Sequence, residues 1–227
     1  MTASIRLSGV DAHHGQTLAL SKINLDLAPG TVTSVIGRNG SGKSTLFGLI
    51  SSRLSPTSGT VEVQGDVAEI LQTTQIDIQL RLTVEDVVRI GRYPNRGILR
   101  RIRQVDRDAI EHALKRVDLS KLRKRPFDQL SGGQKQRALI AQGIAQDASV
   151  LLLDEPANGL DIPSQRKILD IISAEAEAGR TVLFSTHHLA EAATADTVVA
   201  LSCNCVCCAP PTTALEDPAV KKLFEYA

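Results

Sequence analysis

The sequence predicts an α/β fold with a layered, mainly parallel sheet, and two observations support this prediction. Short runs rich in β-branched residues alternate with amphipathic helical patterns, as in a sheet whose strands are buried on both faces. These runs are Val32–Ile36, Val150–Leu153, Thr181–Phe184 and Val198–Leu201. A glycine-rich segment, residues 37–45, follows the first run and leads into a helical pattern, so a strand–loop–helix unit is expected there.

A helix is predicted between the second and the third of these runs. Pro163 suits its first turn and Gly179 suits its stop, and apolar residues recur between them at helical spacing. Residues 5–27 and 59–71 instead alternate in polarity like antiparallel strands. The sequence therefore predicts a parallel core that carries an antiparallel β subdomain.

The middle of the chain, residues 73–139, has a pattern that predicts mostly helix. Thr83 and Asp86 stand at the spacing of a capping box that opens a helix, and residues 106–117 place apolar side chains at helical spacing. We expect this segment to be an α-helical subdomain inserted into a single domain of residues 1–227. Residues 1–72 and 140–227 would then form the core with its β subdomain.

Composition and charge argue against several classes of protein. With 42% hydrophobic and 22% charged residues, the chain has the make-up of a globular protein. Its net charge of +1 and its 3% of aromatic residues, with no tryptophan, argue against a nucleic-acid partner. No secretory signal pattern and no apolar stretch long enough to cross a bilayer is visible, so we expect a cytosolic chain or one held at a membrane by other subunits.

Residues 37–45 fit the phosphate-binding pattern G-x-x-x-x-G-K-[ST] without a mismatch. The glycines would let the backbone direct its N–H groups at an anion, next to a helix N-terminus. Lys43 would reach the β- and γ-phosphates of a nucleotide, and the Ser44 hydroxyl would ligate Mg²⁺. A glycine-rich turn that binds nothing is the alternative, which the flanking strand and helix disfavour. The expected nucleotide-binding residues are Gly37, Asn39, Gly40, Ser41, Gly42, Lys43, Ser44 and Thr45.

Two carboxylates, Asp154 and Glu155, follow the run Val150–Leu153 directly. At the carboxyl end of a strand beside a phosphate loop, Asp154 could hold Mg²⁺, usually through water, and Glu155 could polarise the attacking water. Such a pair is weak evidence by itself. It becomes strong evidence in combination with Lys43 and Ser44.

A further phosphate-binding candidate is the segment Leu130-Ser131-Gly132-Gly133-Gln134. Ser131 and Gln134 stand at capping-box spacing, and the two glycines between them would let a ligand approach the backbone closely. A helix terminus of this kind attracts phosphate, although an ordinary helix start would give the same pattern.

In their order and spacing, the phosphate loop, residues 130–134, residues 150–155, Asp161 and His187 resemble the ATP-binding subunit of ABC transporters, over essentially the whole chain. The resemblance implies a P-loop NTPase core of the ABC type with ATP and Mg²⁺ as cofactors. It also implies a head-to-tail dimer that clasps two ATP molecules. Each site would join the phosphate loop of one subunit to residues 131–134 of the other, namely to Ser131, Gly132, Gly133 and Gln134.

The resemblance also assigns roles to two less specific positions. Gln72 matches the family's glutamine that contacts Mg²⁺ and the attacking water, and Gln75 and Gln79 are alternatives to it. His14 stands where the family usually stacks adenine on an aromatic residue, and His13 could replace it if the register slips by one. Because imidazole offers less stacking area than a phenol ring, we expect looser selection of the base.

His187 completes the implied catalytic set, whose other members are Lys43, Gln72 and Glu155, and Asp161 joins the implied nucleotide-binding residues. His187 matches the switch histidine that hydrogen-bonds the γ-phosphate, whereas His188 is expected to be its solvated neighbour. Asp161 matches the loop that crosses between subunits, and it could at the same time be a helix N-cap.

Four cysteines fall within six residues, where the family has a β-hairpin that normally lacks cysteine: Cys203, Cys205, Cys207 and Cys208. Alternate residues of a strand share a face, so the first three could form a thiolate site for Zn²⁺ or Cu⁺. Small, semi-apolar residues that fill a hairpin are the alternative, and it is the one we favour.

Gly91-Arg92-Tyr93-Pro94 resembles a segment of importers for iron chelates, haem, cobalamin, manganese or zinc, in the subdomain that meets the membrane subunit. The arginines that follow could bind acidic residues or lipid headgroups there, or could form an ordinary solvated face. They are Arg96, Arg100, Arg101 and Arg103.

The resemblance thus implies an ATPase subunit that powers an importer through separate membrane permease subunits, at the cytoplasmic face of the membrane. The expected cargo is a metal ion or metal chelate, and an extracytoplasmic substrate-binding protein would be an indirect partner. The second ATP-binding subunit would be a copy or a paralogue. A soluble ABC-type ATPase of cluster assembly or DNA maintenance is the alternative; the near-neutral charge and the absence of a coiled-coil insertion disfavour the DNA role. An exporter subunit is a third possibility.

Overall fold

The computed structural model describes residues 5–70, 82–93 and 102–224, except for the side chains of His14 and Val206. The strands are β1 (Ile5–His14), β2 (Thr17–Leu27), β3 (Val32–Ile36), β4 (Ser58–Val63), β5 (Val67–Ile70), β6 (Val150–Leu153), β7 (Thr181–Thr186), β8 (Thr197–Leu201) and β9 (Cys205–Ala209). The helices are α1 (Lys43–Ile50), α2 (Val84–Ile90), α3 (Gln104–Arg116), α4 (Gly132–Ala145), α5 (Ile162–Glu177), α6 (Leu189–Ala192), α7 (Pro211–Ala214) and α8 (Pro218–Phe224).

The strands form two sheets, which confirms the expected parallel core and antiparallel subdomain. The larger sheet has the order β5-β6-β7-β3-β8-β9, and its strands are parallel except for the antiparallel pair β8–β9. The smaller sheet, β2-β1-β4, is antiparallel. In the larger sheet β7 lies between β6 and β3, so the carboxyl ends of these strands meet at one edge.

Strand β6 shows why the predicted parallel strands read as continuous apolar runs. Leu151 and Leu153 pack into a core cluster shared with the helices α2, α3 and α4. Val150 and Leu152 point to the other face, where they join a cluster with α1 and the antiparallel sheet. Because apolar layers cover both faces, alternation between polar and apolar residues disappears in this strand.

The antiparallel reading of residues 59–71 is correct for β4 and wrong for β5. Strand β5 pairs in parallel with β6, from Val67 opposite Val150 to Ile70 opposite Leu153. It lies at the edge of the described larger sheet, where Ala68 and Ile70 are buried but their neighbours are half-buried. Partial exposure of one face at a sheet edge produces the same alternation that a solvated antiparallel strand has.

The helical segment formed by α2, α3 and α4 follows the predicted pattern. Thr83 caps α2 as expected: its hydroxyl accepts from the Asp86 backbone N–H, and the Asp86 carboxylate accepts from the Thr83 N–H at 3.0 Å. Helix α3 buries Ile110, Ala113 and Leu114. Helix α4 continues through residues 139 and 140, and the division of the chain into subdomains at that point stays a prediction.

Gly91 and Arg92, from the importer-like segment, hold this helical segment together. A Cβ on Gly91 would lie 2.1 Å from the Gln142 carbonyl oxygen of α4, so only glycine fits there. The buried Arg92 donates to Asp106 at 3.1 Å and to the Ala145 carbonyl at 2.6 Å. These residues therefore have a packing role in this chain. Pro94, Arg96, Arg100 and Arg101 lie outside the described residues.

Replacing Arg92 tests this role. Arg92→Ala removes the guanidinium from the fully buried Asp106 carboxylate, and breaking a buried ion pair costs about 3–5 kcal/mol. We expect a loss of that size in the free energy of unfolding, measured by urea denaturation. Arg6→Ala is the matched control, since its pair with Asp26 is exposed and is worth at most about 1 kcal/mol. Equal losses in the two variants would contradict a structural role for Arg92.

Candidate nucleotide-binding site

The predicted site residues from three separate parts of the sequence meet at one edge of the larger sheet. The phosphate loop follows β3, the two carboxylates follow β6, and His187 follows β7. A cleft of about 510 Å³ opens at this edge. It is lined by residues 39–45, by Asp154 and Glu155, and by Thr17, Leu18 and Ala19 of β2.

Glycine is required at two points of the phosphate loop. Gly42 has φ of 102°, and a Cβ there would lie 2.4 Å from Leu20 Cδ2 and 2.9 Å from the Ala19 carbonyl oxygen. A Cβ on Gly37 would lie 2.5 Å from the Leu201 carbonyl oxygen. The loop is thus pressed between β2 and β8, and it passes directly into α1, whose first residues line the cleft. The first N–H groups of a helix have no partner within the helix, so they can bind an anion there.

Lys43 is held against the loop that it follows. Its ammonium donates to the carbonyl oxygens of Gly37 at 2.7 Å and of Arg38 at 3.1 Å. Burial lowers the pKa of Lys43, and the nearby carboxylates of Glu155 and Asp154 oppose that shift. Both acceptors are neutral carbonyls, so a phosphate oxygen would be a stronger partner for the ammonium.

Ser44 and Asp154 present oxygen atoms to the same space. The Ser44 hydroxyl lies 3.4 Å from Asp154 Oδ2. A hydroxyl and a carboxylate are hard ligands, and Mg²⁺ in nucleotide sites takes few protein ligands and completes its octahedron with water and phosphate oxygens. The described donor set therefore fits Mg²⁺.

Glu155 lies between the phosphate loop and the switch-histidine position. Its backbone has φ of 45°, in the left-handed region that few residues other than glycine adopt. Its carboxylate accepts from the Asn158 amide at 2.7 Å, and its Oε1 is 3.6 Å from His187 Nδ1. Glu155 and His187 both line a second cleft of about 440 Å³ next to the first.

Ser185, which bonds the Asp154 carboxylate and the Glu155 backbone, was not anticipated as a site residue from the sequence. Ser185 Oγ donates to Asp154 Oδ1 at 2.5 Å and accepts from the Glu155 N–H at 2.9 Å. Thr17, Leu18 and Ala19 were also missed. The place of Ser185 directly after the apolar run at residues 182–184 and two residues before His187 was an available signal, whereas the β2 residues carry no distinctive pattern.

The Ser131 segment lies away from this cleft. Ser131 caps α4 through the predicted capping box with Gln134, and the exposed Ser131 and Gly132 line neither cleft. A Cβ on Gly133 would lie 2.5 Å from Ser164 Oγ of α5, so the starts of α4 and α5 are in close contact.

Asp161 is the N-cap of α5, which confirms one of the two roles expected from the sequence. Its carboxylate accepts from the Ser164 backbone N–H at 2.7 Å, and this bond lowers the pKa of Asp161. Its role in crossing between subunits stays a prediction, because a single chain does not test it.

The predicted glutamine and adenine contacts fall on undescribed parts of the chain. Gln72, Gln75 and Gln79 lie outside the described residues, as does the side chain of His14. His13 is described; its Nδ1 lies 3.2 Å from the Thr57 hydroxyl, and it does not line the nucleotide cleft.

The cysteines form the expected hairpin of β8 and β9, but the prediction that three of them share a face is wrong. Cys203 lies in the turn with φ of 58°, and the pairing of β8 with β9 shifts register between Cys205 and Cys207. As a result Cys205 packs with the cluster under α1, and Cys207 packs with the cluster that contains α7 and α8 residues.

A thiolate metal site is not found at this hairpin. Among the described residues no group of three or more potential metal-binding side chains is close enough to hold an ion. Burial, with its neighbours Cys208 and Cys207, raises the pKa of Cys205 to about 11, so its thiol stays protonated at neutral pH. The alternative reading, in which the cysteines fill a hairpin, agrees with this packing.

Two glycine replacements separate crowding in the phosphate loop from backbone strain. Gly15 at the β1–β2 turn has φ of 59° with open space around a Cβ, whereas Gly42 is both left-handed and crowded. Left-handed backbone costs an L-residue about 1–2 kcal/mol, so Gly15→Ala and Gly42→Ala should both lose stability. Only Gly42→Ala should also lose affinity for a fluorescent ATP analogue, by about tenfold or more. Unchanged affinity in Gly42→Ala would contradict the assigned loop geometry.

Three comparisons with known proteins agree with this geometry. Residues 20–158 match the family model described as ABC transporter. The chain is 37% identical over 201 residues to the manganese transport system ATP-binding protein MntA of Synechocystis, covering 84% of this chain and 77% of that protein. It is 33% identical over 214 residues to the petrobactin import ATP-binding protein FpuD of Bacillus anthracis, covering 88% of this chain and 78% of that protein.

A solved structure shows the same fold. An ABC transporter of the metal-chelate type, in an inward-facing conformation, superposes with a TM-score of 0.91 at 29% identity, covering 99% of this chain and 89% of that chain. The related proteins are transport subunits, which argues against the soluble ATPase of cluster assembly or DNA maintenance. Among the described residues, no helix has the length and apolar character that crossing a membrane requires. The chain belongs to the ABC transporter family, as an ATP-binding subunit with the ATPase fold and activity of that family.

Proposed function

We propose that this chain hydrolyses MgATP at a site completed by a second ATP-binding subunit, and that it thereby powers the uptake of a metal ion or a metal chelate. The observation that supports this most directly is the convergence of Lys43, Asp154, Glu155 and His187 on adjoining clefts at the carboxyl ends of β3, β6 and β7. One edge of one sheet thus offers a phosphate-binding cation, a metal ligand, a base and a neighbouring imidazole.

Each of these residues has a proposed role in the reaction. Lys43 and the N–H groups of the phosphate loop bind the β- and γ-phosphates, and Ser44 and Asp154 hold Mg²⁺, with the Asp154 contact usually through water. When bound, Mg²⁺ neutralises charge on the phosphates. Glu155 orients and polarises the attacking water, and His187, 3.6 Å from its carboxylate, hydrogen-bonds the γ-phosphate.

The second subunit supplies the donors that the described cleft lacks. Ser131 and Gly132 are exposed at the start of α4 and line neither cleft of their own chain. We propose that this helix start, with Gly133 and Gln134, closes over the γ-phosphate bound by the other subunit. Asp161 lies on the adjoining α5 start and would cross the same interface. Gln72 and His14 retain their proposed contacts with Mg²⁺ and adenine.

The cargo is proposed from the relatives. The names of two of them specify manganese transport and import of petrobactin, and the superposed transporter is of the metal-chelate type. We therefore propose that the cargo is a metal ion or a metal chelate: manganese, zinc, haem or an iron–siderophore. Separate permease subunits carry the cargo, a substrate-binding protein outside the membrane delivers it, and this chain sits peripherally at the cytoplasmic face. The partner ATP-binding subunit is a copy of this chain or a paralogue.

Glu155→Gln tests the assignment of the base. The amide keeps the shape of the side chain but cannot take a proton, so ATP should still bind while kcat falls by about 10²–10⁴-fold. Gel filtration with ATP should then show an accumulated dimer. Glu62→Gln, on the exposed face of β4, is the control and should keep wild-type turnover. Wild-type hydrolysis by Glu155→Gln would show that another group activates the water.

The cargo proposal is tested with the chain copurified with its membrane partners. In proteoliposomes, Mn²⁺, Zn²⁺, haem and a ferric siderophore are supplied one at a time, and the ATPase rate is compared with the rate without cargo. We expect one of them to stimulate hydrolysis, and the complex with Glu155→Gln to remain inactive throughout. If none of the four stimulates hydrolysis by the wild-type complex, the proposed substrate class is refuted.

A further inference from the structure

We propose that Ser185 is a positioning residue of the ATPase reaction, whose hydroxyl fixes the orientation of Asp154 relative to Glu155. This inference rests on the proposed roles of those two carboxylates. It concerns how they are oriented, and it assigns a function to a residue that lines neither of the two clefts.

The Ser185 hydroxyl both donates and accepts a hydrogen bond. Its hydrogen is donated to Asp154 Oδ1 at 2.5 Å, and a lone pair accepts the Glu155 N–H at 2.9 Å. A hydroxyl has one donor and two acceptor sites, so both bonds can form together. Ser185 is fully buried near the end of β7, where a hydroxyl is costly unless it is hydrogen-bonded.

The first bond sets the orientation of Asp154. With Oδ1 engaged by Ser185, the other oxygen, Oδ2, is directed at the Ser44 hydroxyl 3.4 Å away. The two oxygens therefore have different tasks: one anchors the side chain and the other faces the proposed Mg²⁺ position. Carboxylates that bind metals are commonly held by such an outer hydrogen bond, and its loss costs metal affinity.

The second bond acts on the backbone of Glu155. This residue has φ of 45°, a left-handed conformation that persists only where the surroundings hold it. The N–H bond to Ser185 is one such constraint, and the side-chain bond to Asn158 is another. Together they direct the Glu155 carboxylate toward His187 and the phosphate loop. One buried hydroxyl thus couples the metal ligand to the base.

A neighbouring strand offers a matched control. Ser34 of β3 is also fully buried, and its partner in the parallel register is Phe184, next to Ser185. The Ser34 hydroxyl donates to the Ala192 carbonyl at 3.3 Å and is not bonded to either carboxylate. Ser34→Ala therefore removes a buried hydroxyl from the same sheet without touching Asp154 or Glu155.

The test compares Ser185→Thr with Ser185→Val, which add the same bulk and differ only in the hydroxyl. Ser185→Ala and Ser34→Ala accompany them, and thermal unfolding confirms that each variant folds.

The metal-binding readout is the affinity of the ADP complex for Mn²⁺, followed by electron paramagnetic resonance. The catalytic readout is kcat and KM for MgATP. We expect Ser185→Val and Ser185→Ala to lose about 10–100-fold in Mn²⁺ affinity and in kcat, with a smaller change in KM. Ser185→Thr should recover most of both losses relative to Ser185→Val, and Ser34→Ala should match the wild type.

Several outcomes would overturn the inference. Equal Mn²⁺ affinity and equal kcat in the folded Thr and Val variants would show that the hydroxyl does not position the carboxylates. Losses in Ser34→Ala as large as those in Ser185→Ala would show a general packing effect. A wild-type chain that binds no Mn²⁺ with ADP and hydrolyses no ATP would instead refute the proposed function, and this inference with it.

Discussion

The structure depends on one constraint, the parallel pairing of β6, β7 and β3 in adjacent positions of a single sheet. In this register Leu153 lies opposite Phe184, and Ile36 lies opposite Thr186. The segments that follow these strands must therefore leave the sheet side by side at their carboxyl ends. The phosphate loop, the two carboxylates and His187 become neighbours for this reason, although the phosphate loop precedes the other two by more than a hundred residues in the sequence.

The helical segment carries the start of α4, which we propose as the second half-site and which lines neither cleft of its own chain. The start of α4 is fixed to the start of α5 where Gly133 meets Ser164, and the buried Arg92–Asp106 pair ties α2 and α3 to the end of α4. Motion of this segment would therefore move Ser131 and Asp161 together. Such a rigid connection suits a site that is completed only when two subunits approach each other.

Sequence patterns predicted most of the fold and failed where two environments produce the same pattern. The strands β3, β6, β7 and β8 were predicted correctly, because burial on both faces gives a strand a continuous apolar run. The capping boxes at Thr83 and Ser131 were also correct, because capping requires particular residues at a fixed spacing. Strand β5 was misread because an edge strand alternates like a solvated one. The cysteine hairpin was misread because a register shift between Cys205 and Cys207 places their thiols on different faces, and no local pattern marks that shift.

The sequence by itself determined the phosphate loop, the Asp154–Glu155 pair, the helix starts and the family, since each is a short contiguous motif with its own chemistry. Only the tertiary structure decided how these motifs face one another. The bond between Ser185 and Asp154 spans 31 residues, and the cleft wall at Thr17–Ala19 comes from another sheet. Contacts of this kind arise from strand order and sheet packing, which periodicity and motif spacing do not encode.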